Sequence, residues 1–353
     1  MNGFARSRAV LAAILAAVVV AGTGIAHAAD LVRVGEGPFI TGGAFFIARD
    51  KGYFKRLGID IETKSFIDGA FAVPAMISGE LDVALMTPNA SLFNSVAKGA
   101  PLVLFLDRGS NRKGLAYTLV NVTQAQYDAG VRSLADFAKL KGKRMGVGAL
   151  GSINQYNLAQ ALLRAGLDPA KDVHWVVNVS QPDLMKMLGQ GQVDATDLAW
   201  QFGVFAQQSR WGPIVVPDDQ IVPDAAIGMY AARRDFLTKD HDVAVRFAMA
   251  YLHAAKEFNA AALAPDRYPG IVDILAKNTA LNKPELVKKI APNWSYISET
   301  GLPLVDSIMS MQDFWSGKYF NYVEKKVTRE QLFDLSIAEE ALARLDKEKP
   351  FAK

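Results

Sequence analysis

The segment at residues 78–85, SGELDVAL, changes from a helical pattern to a strand pattern within a few positions. Gly79 can adopt the left-handed backbone that ends a helix, and apolar residues then alternate around Asp82 as they do in a half-buried strand. A similar segment occupies residues 189–198, GQGQVDATDL, with Asp194 in the place of Asp82. The chain therefore contains one helix-to-strand join twice, and this repetition predicts two structural units of the same plan.

Other landmarks repeat in the same order in the two halves of the chain. Four pairs are separated by 108 to 113 residues, namely Gly35 and Gly148, Gly58 and Gly166, Gly79 and Gly191, and Asp82 and Asp194. Short strand patterns alternate with helical patterns between these landmarks, which is typical of α/β units with mainly parallel sheets. The sequence thus predicts the α/β fold class with two lobes.

The chain must pass from the first lobe to the second and then return. Residues 116–120 and 226–232 have strand patterns and are candidates for these two crossings. From Arg234 onward apolar residues recur at helical spacing, so helices are expected to pack around the first lobe. The expected bounds are residues 29–118 and 229–353 for the first lobe, and residues 119–228 for the second.

The first 28 residues have the three parts of a secretory signal peptide. Arg6 and Arg8 precede an apolar run at residues 9–21, and the small-residue motif AHA follows at residues 26–28. The run is shorter than the roughly 20 apolar residues that a membrane span requires, which disfavours an uncleaved anchor. We expect export, with cleavage after about Ala28.

The composition narrows the classes of function. The chain has 39 basic and 36 acidic side chains, and removal of the two arginines before residue 29 leaves a balance of +1. This balance gives no electrostatic reason to expect nucleic acid or a membrane surface as partner. The absence of Cys excludes disulfides, thiol catalysis and a lipid on an N-terminal Cys, so a free exported protein is expected in a periplasm. His174, His241 and His253 do not stand at metal-ligand spacing, and neither a metal nor another cofactor is expected.

The loops that follow the predicted strands are the places to look for a site. In an open α/β sheet, ligands bind in the crevice at the carboxyl ends of the strands. The loops expected there are residues 38–43, 66–70 and 86–89 in the first lobe, and residues 149–154, 180–183 and 197–201 in the second. The two lobes should therefore offer these loops to one cleft.

Several segments resemble bacterial substrate-binding proteins of the nitrate, sulfonate, taurine and thiamine-precursor type. Residues 48–61, ARDKGYFKRLGIDI, are similar to the KGYFK…GLDVE segment of that family, and SGELDVAL is similar to its GE.D.G segment. Further similar segments are Gly151-Ser152, residues 191–195 with Trp200, residues 232–237 and residues 334–337. The resemblance covers nearly all of the chain after residue 28.

The resemblance implies a periplasmic binding protein type II fold, in which a two-strand hinge joins the lobes and the ligand lies in the cleft between them. Such proteins close on a small solute and present the closed form to an ABC permease with a cytoplasmic ATPase. By this resemblance the chain is a monomeric periplasmic component of an ABC importer. Its expected ligand is a small organic solute, either a sulfonate, a carboxylate or a nitrogen heterocycle.

The predicted ligand contacts lie in the cleft loops. They are Phe39, Thr41, Gly42, Phe66, Asp68, Gly69, Thr87, Asn89, Gly151, Ser152, Asn154, Trp200 and Gln201. Other interpretations stay open, because polar residues can cap helices, phenylalanines can pack in the core and glycines can serve turns alone. Glu36, Asp68 and Asp197 favour an amine or a ring nitrogen if they face the ligand. Arg108 is the nearest basic candidate for an anion, and it can equally be solvated.

Two other classes of function compete with transport. A periplasmic sensor subunit with the same fold would signal to a membrane receptor, and fold alone does not separate it from a transport component. An enzyme similar to the thiamine-pyrimidine synthases would carry a Cys-rich motif, which this chain lacks. The segment Gly151-Ser152-Ile153 is not a nucleophile elbow, so no catalytic residue is expected.

Overall fold

The structure is a computed structural model that describes residues 29–66 and 69–352. The expected signal peptide lies outside the described residues, and so does Asp68. Within the described part of the chain, no helix combines the length and the apolar character needed to cross a membrane.

Ten strands and fifteen α-helices lie in the described residues. The strands are β1 (Asp30–Glu36), β2 (Ile59–Ser65), β3 (Val83–Met86), β4 (Leu102–Ser110), β5 (Thr118–Val122), β6 (Arg144–Gly146), β7 (His174–Val176), β8 (Ala195–Ala199), β9 (Ile214–Pro217) and β10 (Ala226–Arg233). The helices are α1 (Gly43–Asp50), α2 (Tyr53–Arg56), α3 (Val73–Ile77), α4 (Ala90–Ala97), α5 (Gln124–Asp128), α6 (Ile153–Arg164), α7 (Gln181–Gly189), α8 (Trp200–Gln208), α9 (Arg234–Lys239), α10 (His241–Leu263), α11 (Pro269–Asn278), α12 (Pro284–Lys289), α13 (Val305–Trp315), α14 (Arg329–Leu332) and α15 (Ser336–Glu348).

The strands form two five-stranded sheets with equivalent topology. The first sheet has the order β2-β1-β3-β10-β4, and the second has the order β7-β6-β8-β5-β9. In each sheet the first three strands are parallel, and the fourth runs antiparallel to both of its neighbours. The antiparallel strands β5 and β10 are the first strands after the chain changes sheets. This arrangement confirms the predicted fold class of two α/β lobes.

The repeated join has the same structure in both lobes. Asp82, which directly precedes β3, accepts hydrogen bonds from the backbone N–H and the guanidinium of Arg33 on β1, at 2.8–3.0 Å. Asp194, which directly precedes β8, accepts the equivalent bonds from Arg144 on β6, at 2.9–3.3 Å. The aspartate of the repeated pattern therefore ties the start of β3 or β8 to the middle one of the three parallel strands of its sheet.

One of the predicted landmark pairs is wrong. Gly35 on β1 lies opposite Ala84, and in the second sheet the equivalent position opposite Thr196 is held by Gly146. Gly146 rather than Gly148 is thus the counterpart of Gly35. Gly148 lies two residues further on, in the turn after β6, whereas Gly35 lies within β1.

The core of the first lobe is built around the long helix α10. Phe247 of α10 stacks on Phe54 with ring centroids 5.0 Å apart, and Tyr251 packs edge-on against Tyr230 of β10 at 5.3 Å. Helices α1 and α15 pack on the same helix, so the segments after β10 enclose the first sheet. A smaller apolar core, which includes Val120, Phe137, Leu158 and Leu162, lies in the second lobe.

Candidate functional site

The two crossings between the lobes run side by side. Residues 111–117 lead from β4 to β5, and residues 218–225 lead from β9 to β10. The N–H of Asn111 donates to the carbonyl of Ala225 at 2.9 Å, and its side-chain oxygen accepts from the N–H of Tyr117 at 2.8 Å. The backbone of one crossing is therefore bonded to the other, so the two crossings are held side by side.

The lobes touch where the strand ends of the two sheets face each other. The N–H of Ala90, the first residue of α4, donates to the carbonyl of Gly151 at 3.2 Å. Gly151 has a φ of +69°, and a Cβ added there would lie 2.5 Å from the Cβ of Ala90. The predicted contact residue Gly151 thus forms part of a direct contact between the lobes.

The polar residues at the starts of α4 and α6 act as helix caps. The Oδ1 atom of Asn89 accepts from the N–H of Leu92 at 2.8 Å, and its Nδ2 atom donates to Thr87 Oγ1 at 2.8 Å. Ser152 Oγ accepts from the N–H of Gln155 at 3.3 Å. Because capping already occupies these side chains, the backbone N–H groups of the helix starts are the better candidates for contact with a solute.

The start of α8 has no side-chain cap. Its N-cap residue is Ala199, and the N–H of Trp200 donates to the carbonyl of Tyr117 at 2.9 Å. The Oε1 atom of Gln201 is buried and has no hydrogen-bond partner among the described residues. Trp200 and Gln201 are both half-buried, so an aromatic face and a spare acceptor lie beside the crossing into the second lobe.

A buried ion pair lies behind the first-lobe loops. Arg108 on β4 donates to both carboxylate oxygens of Glu36, and its Nη1 atom donates to Thr41 Oγ1 at 2.7 Å. The hydroxyl of Tyr230 also donates to Glu36, and a Cβ on Gly42 would approach this pair to 3.1 Å. Burial opposes the charge on Arg108, but the carboxylate of Glu36 raises the pKa of the guanidinium above its ordinary value. Glu36 neutralises Arg108, so the interpretation of Arg108 as a solvated residue is wrong.

The other first-lobe candidates lie around the ends of β1 and β3. Phe39 and Phe66 are half-buried, and the N–H of Phe66 donates to the carbonyl of Glu36 at 2.8 Å. A Cβ on Gly69 would lie 2.4 Å from the carbonyl oxygen of Leu85. Gly69 is therefore needed for packing against a strand of its own lobe.

In the second lobe, Asn154 contacts the middle of β8. Its Nδ2 atom donates to the backbone carbonyl of Asp197 at 3.4 Å. The carboxylate of Asp197 is fully buried and accepts from Asn157 Nδ2 at 3.0 Å. Asp197 therefore does not present its charge to a solute in this structure.

Sequence reasoning missed a segment that bridges the two lobes. The carbonyl of Tyr322 accepts from Asn94 Nδ2 on α4 at 2.7 Å, and its ring lies 3.5 Å from the place of a Cβ on Gly151. Nearby, Tyr156 on α6 packs edge-on against Phe314 with ring centroids 5.2 Å apart. The aromatic density of residues 314–322, FWSGKYFNY, is the sequence signal that could have pointed to this segment.

Two curated relatives share part of the sequence. The chain is 26% identical over 254 residues to a binding protein of Brucella abortus (strain 2308), across 72% of each chain. It is 23% identical over 211 residues to the binding protein YtlA of Bacillus subtilis (strain 168), across 59% of this chain. The match spans 60% of the length of YtlA.

Solved structures share the fold. The periplasmic nitrate-binding protein NrtA from Synechocystis PCC 6803 superposes with a TM-score of 0.72 at 12% identity, across 92% of this chain and 91% of that one. The periplasmic aliphatic sulphonate-binding protein SsuA from Escherichia coli gives a TM-score of 0.64 at 18% identity, across 86% and 92%. The chain thus has the periplasmic binding protein fold. The model of the NMT1-like family matches residues 27–267, which is more than half of the chain, and the protein belongs to that family.

Proposed function

We propose that the protein is the solute-binding component of an ABC importer, exported to the periplasm, and that it captures a small organic solute by closure of its two lobes. The observation that supports this most directly is the contact between Ala90 and Gly151, since it joins the lobes at the edge where both sheets present their strand ends. The lobes of this proposal comprise residues 29–118 with 229–353, and residues 119–228. No step of the proposal requires catalysis.

Closure of this kind depends on contacts that only the closed form makes. A solute shifts the equilibrium toward the closed form only if it binds that form more tightly than the open form. The two crossings are the parts of the backbone able to absorb the rotation, and the bond between Asn111 and Ala225 keeps them together. The contact near Gly151 would then form when the cleft closes over the solute.

The charges near the cleft bear on the class of solute. Arg108 is neutralised by Glu36, and the carboxylate of Asp197 is buried, so none of these three offers an unpaired charge to the cleft. Helix-start N–H groups can hold an anionic oxygen without a cationic side chain, and the spare acceptor on Gln201 suits an N–H or O–H donor. We therefore propose a sulfonate, a carboxylate or a nitrogen heterocycle, held by backbone groups and flanked by Phe39, Phe66 and Trp200.

A ligand panel tests the proposal. The protein is unfolded and refolded to remove bound solute, and its thermal unfolding is then measured with sulfonates, small and aromatic carboxylates, nitrate, amines and thiamine precursors. A ligand at about 100 times its dissociation constant adds roughly 2.7 kcal/mol to the free energy of unfolding. A shift confined to one chemical class would identify the solute. No shift with any member would contradict the proposed class of solute.

The role in transport needs a second measurement. Uptake of the identified solute is compared between cells with and without this protein, and re-expression of the protein serves as the control. Loss and recovery of uptake would support the importer. Unchanged uptake, together with solute binding in vitro, would instead favour the sensor subunit.

A further inference from the structure

Two carboxylates lie together inside the second lobe, at the edge near the cleft. Asp197 is on β8 and Asp218 directly follows β9, and both are fully buried. Asn157 on α6 donates through Nδ2 to Asp197 at 3.0 Å and also to Asp218. Thr118, the first residue of β5, donates to Asp218 at 2.5 Å. Four elements of the lobe therefore meet at one buried pair of acids.

The described surroundings of this pair contain no compensating charge. Among residues 29–66 and 69–352, no Lys, Arg or His forms a hydrogen bond or an ion pair with Asp197 or Asp218. The Oδ1 atoms of both acids have no hydrogen-bond partner among these residues, and neither has Oδ1 of Asn157. Two ionised carboxylates in such a place would each carry a large desolvation penalty and would repel each other.

Other titratable groups face the pair from neighbouring elements. Asp219 adds a further negative charge next to Asp218, and its own carboxylate accepts from the N–H of Gly114 at 2.7 Å. Burial raises the pKa of Tyr117 to about 12, and this hydroxyl also interacts electrostatically with Arg108 of the first lobe and with Asp197. The neighbouring charges therefore leave the repulsion within the pair unrelieved.

We propose that Asp197 and Asp218 hold one proton between them and form a pH-sensitive element that fixes the cleft edge of the second lobe. Burial, followed by the charge of Asp218, raises the pKa of Asp197 well above its ordinary value. Burial also raises the pKa of Asp218, to about 6, against the hydrogen bonds from its neighbours. A proton on Asp197 can donate to Asp218, which turns a repulsive pair into a hydrogen bond.

The pair is connected to groups that border the cleft. The backbone carbonyl of Asp197 accepts from Asn154, and Thr118 directly follows Tyr117, whose carbonyl accepts from the N–H of Trp200. Loss of the shared proton would push Asp197 and Asp218 apart and would move these attachments. The consequence for solute binding rests on the proposed function, whereas the protonation of the pair does not.

The sign of the pH dependence follows from the raised pKa values. In the unfolded chain both acids lose their protons near pH 3.8. At that pH the folded protein still holds these protons, because both folded pKa values are higher. The stabilisation is complete below that pH and is lost as the pH rises through the folded pKa values. Each retained proton changes the unfolding equilibrium tenfold per pH unit.

The test compares urea unfolding from pH 4 to pH 8 for the wild type, Asp218→Asn and Asp197→Asn. An amide in place of one acid can donate to the other, so both variants should fold. In each variant the free energy of unfolding should depend less steeply on pH, by at least the contribution of one proton. All three proteins also carry Asp107→Asn, because burial raises the pKa of Asp107 to about 7 in the first lobe and this acid would otherwise titrate in the same range. In the Asp107→Asn background, infrared spectra at pH 7 should show the carbonyl band of a protonated carboxyl, and this band should be absent once Asp197→Asn is added.

Two results would overturn the proposal. One is an unchanged pH slope in both variants with no protonated-carboxyl band in the Asp107→Asn background at pH 7. The other is stabilisation of the wild type by K⁺ or Ca²⁺ that both variants lose, since a cation rather than a proton would then balance the pair. Neither measurement needs a solute, so this proposal can fail while the proposed function stands. If a solute is known, its affinity should weaken in the wild type as the pH rises through the raised pKa of Asp197, where the shared proton is lost, and should stay level in Asp218→Asn.

Discussion

The N–H of Ala90 and the carbonyl of Gly151 form a hydrogen bond of 3.2 Å between the two lobes. It joins the start of a first-lobe helix to a second-lobe loop, and the backbone of Gly151 is left-handed there, with a φ of +69°. Only a residue without a Cβ fits, because a Cβ at position 151 would lie 2.5 Å from that of Ala90. Glycine at this position is therefore a condition for the lobe contact.

Gly151→Ala should weaken solute binding at least tenfold. The added Cβ prevents the contact with Ala90, and a loss of about 1.4 kcal/mol in the closed form already corresponds to a tenfold change in affinity. The matched control is Gly166→Ala. Gly166 has a φ of +79° but nothing within 4 Å of its Cβ position, so it carries the same backbone cost of about 1–2 kcal/mol without a lobe contact. Equal affinity in the two variants, measured by calorimetry, would remove position 151 from the closing contact.

The fold could be predicted from sequence because its signals are local. Gly79 and Gly191 adopt the left-handed backbone expected at the helix ends, with φ of +81° and +67°. The strands follow directly, and alternation over a few residues is enough to place them. The pairing of Gly35 with Gly148 failed because the register between neighbouring strands depends on how their side chains pack, which the position of a glycine in the sequence does not show.

The site was harder to predict because its side chains find partners far away in sequence. Arg108 meets Glu36 72 positions away, and nothing near either residue indicates this pair. Tyr322 meets Asn94 of α4, 228 positions away. A side chain near a loop can cap a helix, join an ion pair or face a solute, and only the tertiary structure decides among these.

Glu36→Gln should destabilise the protein by about 3 kcal/mol or more. The change leaves the charge of Arg108 uncompensated inside the first lobe, and breaking a buried pair on one side typically costs about 3–5 kcal/mol. Glu36→Gln combined with Arg108→Met should recover part of this loss, since no buried charge remains. Urea unfolding measures both.

The control for this pair is Glu80→Gln, which breaks the exposed pair of Glu80 with Lys64. Solvent screens that pair, so its loss should change the midpoint little. A similar midpoint for Glu36→Gln and Glu80→Gln would show that the Glu36–Arg108 pair does not have the stated role.

Asp194→Ala should destabilise the second lobe by about 1–3 kcal/mol, because the N–H of Arg144 loses its acceptor. Partial burial acts to raise the pKa of Asp194, but the hydrogen bonds from Arg144 outweigh it and the pKa is lowered. Its contribution is therefore present above the unfolded value of 3.8 and is lost as the pH falls through the lower folded value. Urea midpoints at pH 7 and pH 3 measure both effects.

The control for Asp194 is Asp183→Ala, which removes an exposed carboxylate from the start of α7. We expect only a small change in the urea midpoint of Asp183→Ala. The difference between the wild type and Asp194→Ala should shrink at pH 3, and a difference that stays constant would contradict the role of the carboxylate.

Trp294→Phe should lower the free energy of unfolding by about 1 kcal/mol more than Trp315→Phe does. Both indoles are fully buried in the same first-lobe core, so the two changes remove similar apolar volume. Trp294 Nε1 donates to the carbonyl of Val287 at 2.9 Å, whereas Trp315 Nε1 has no hydrogen-bond partner among the described residues. Trp294→Phe therefore loses a net hydrogen bond, worth about 0.5–1.5 kcal/mol, and Trp315→Phe also removes an unsatisfied buried donor. Urea unfolding of both variants at pH 7 gives the order, and a larger loss for Trp315→Phe would mean that its indole has a partner in solution.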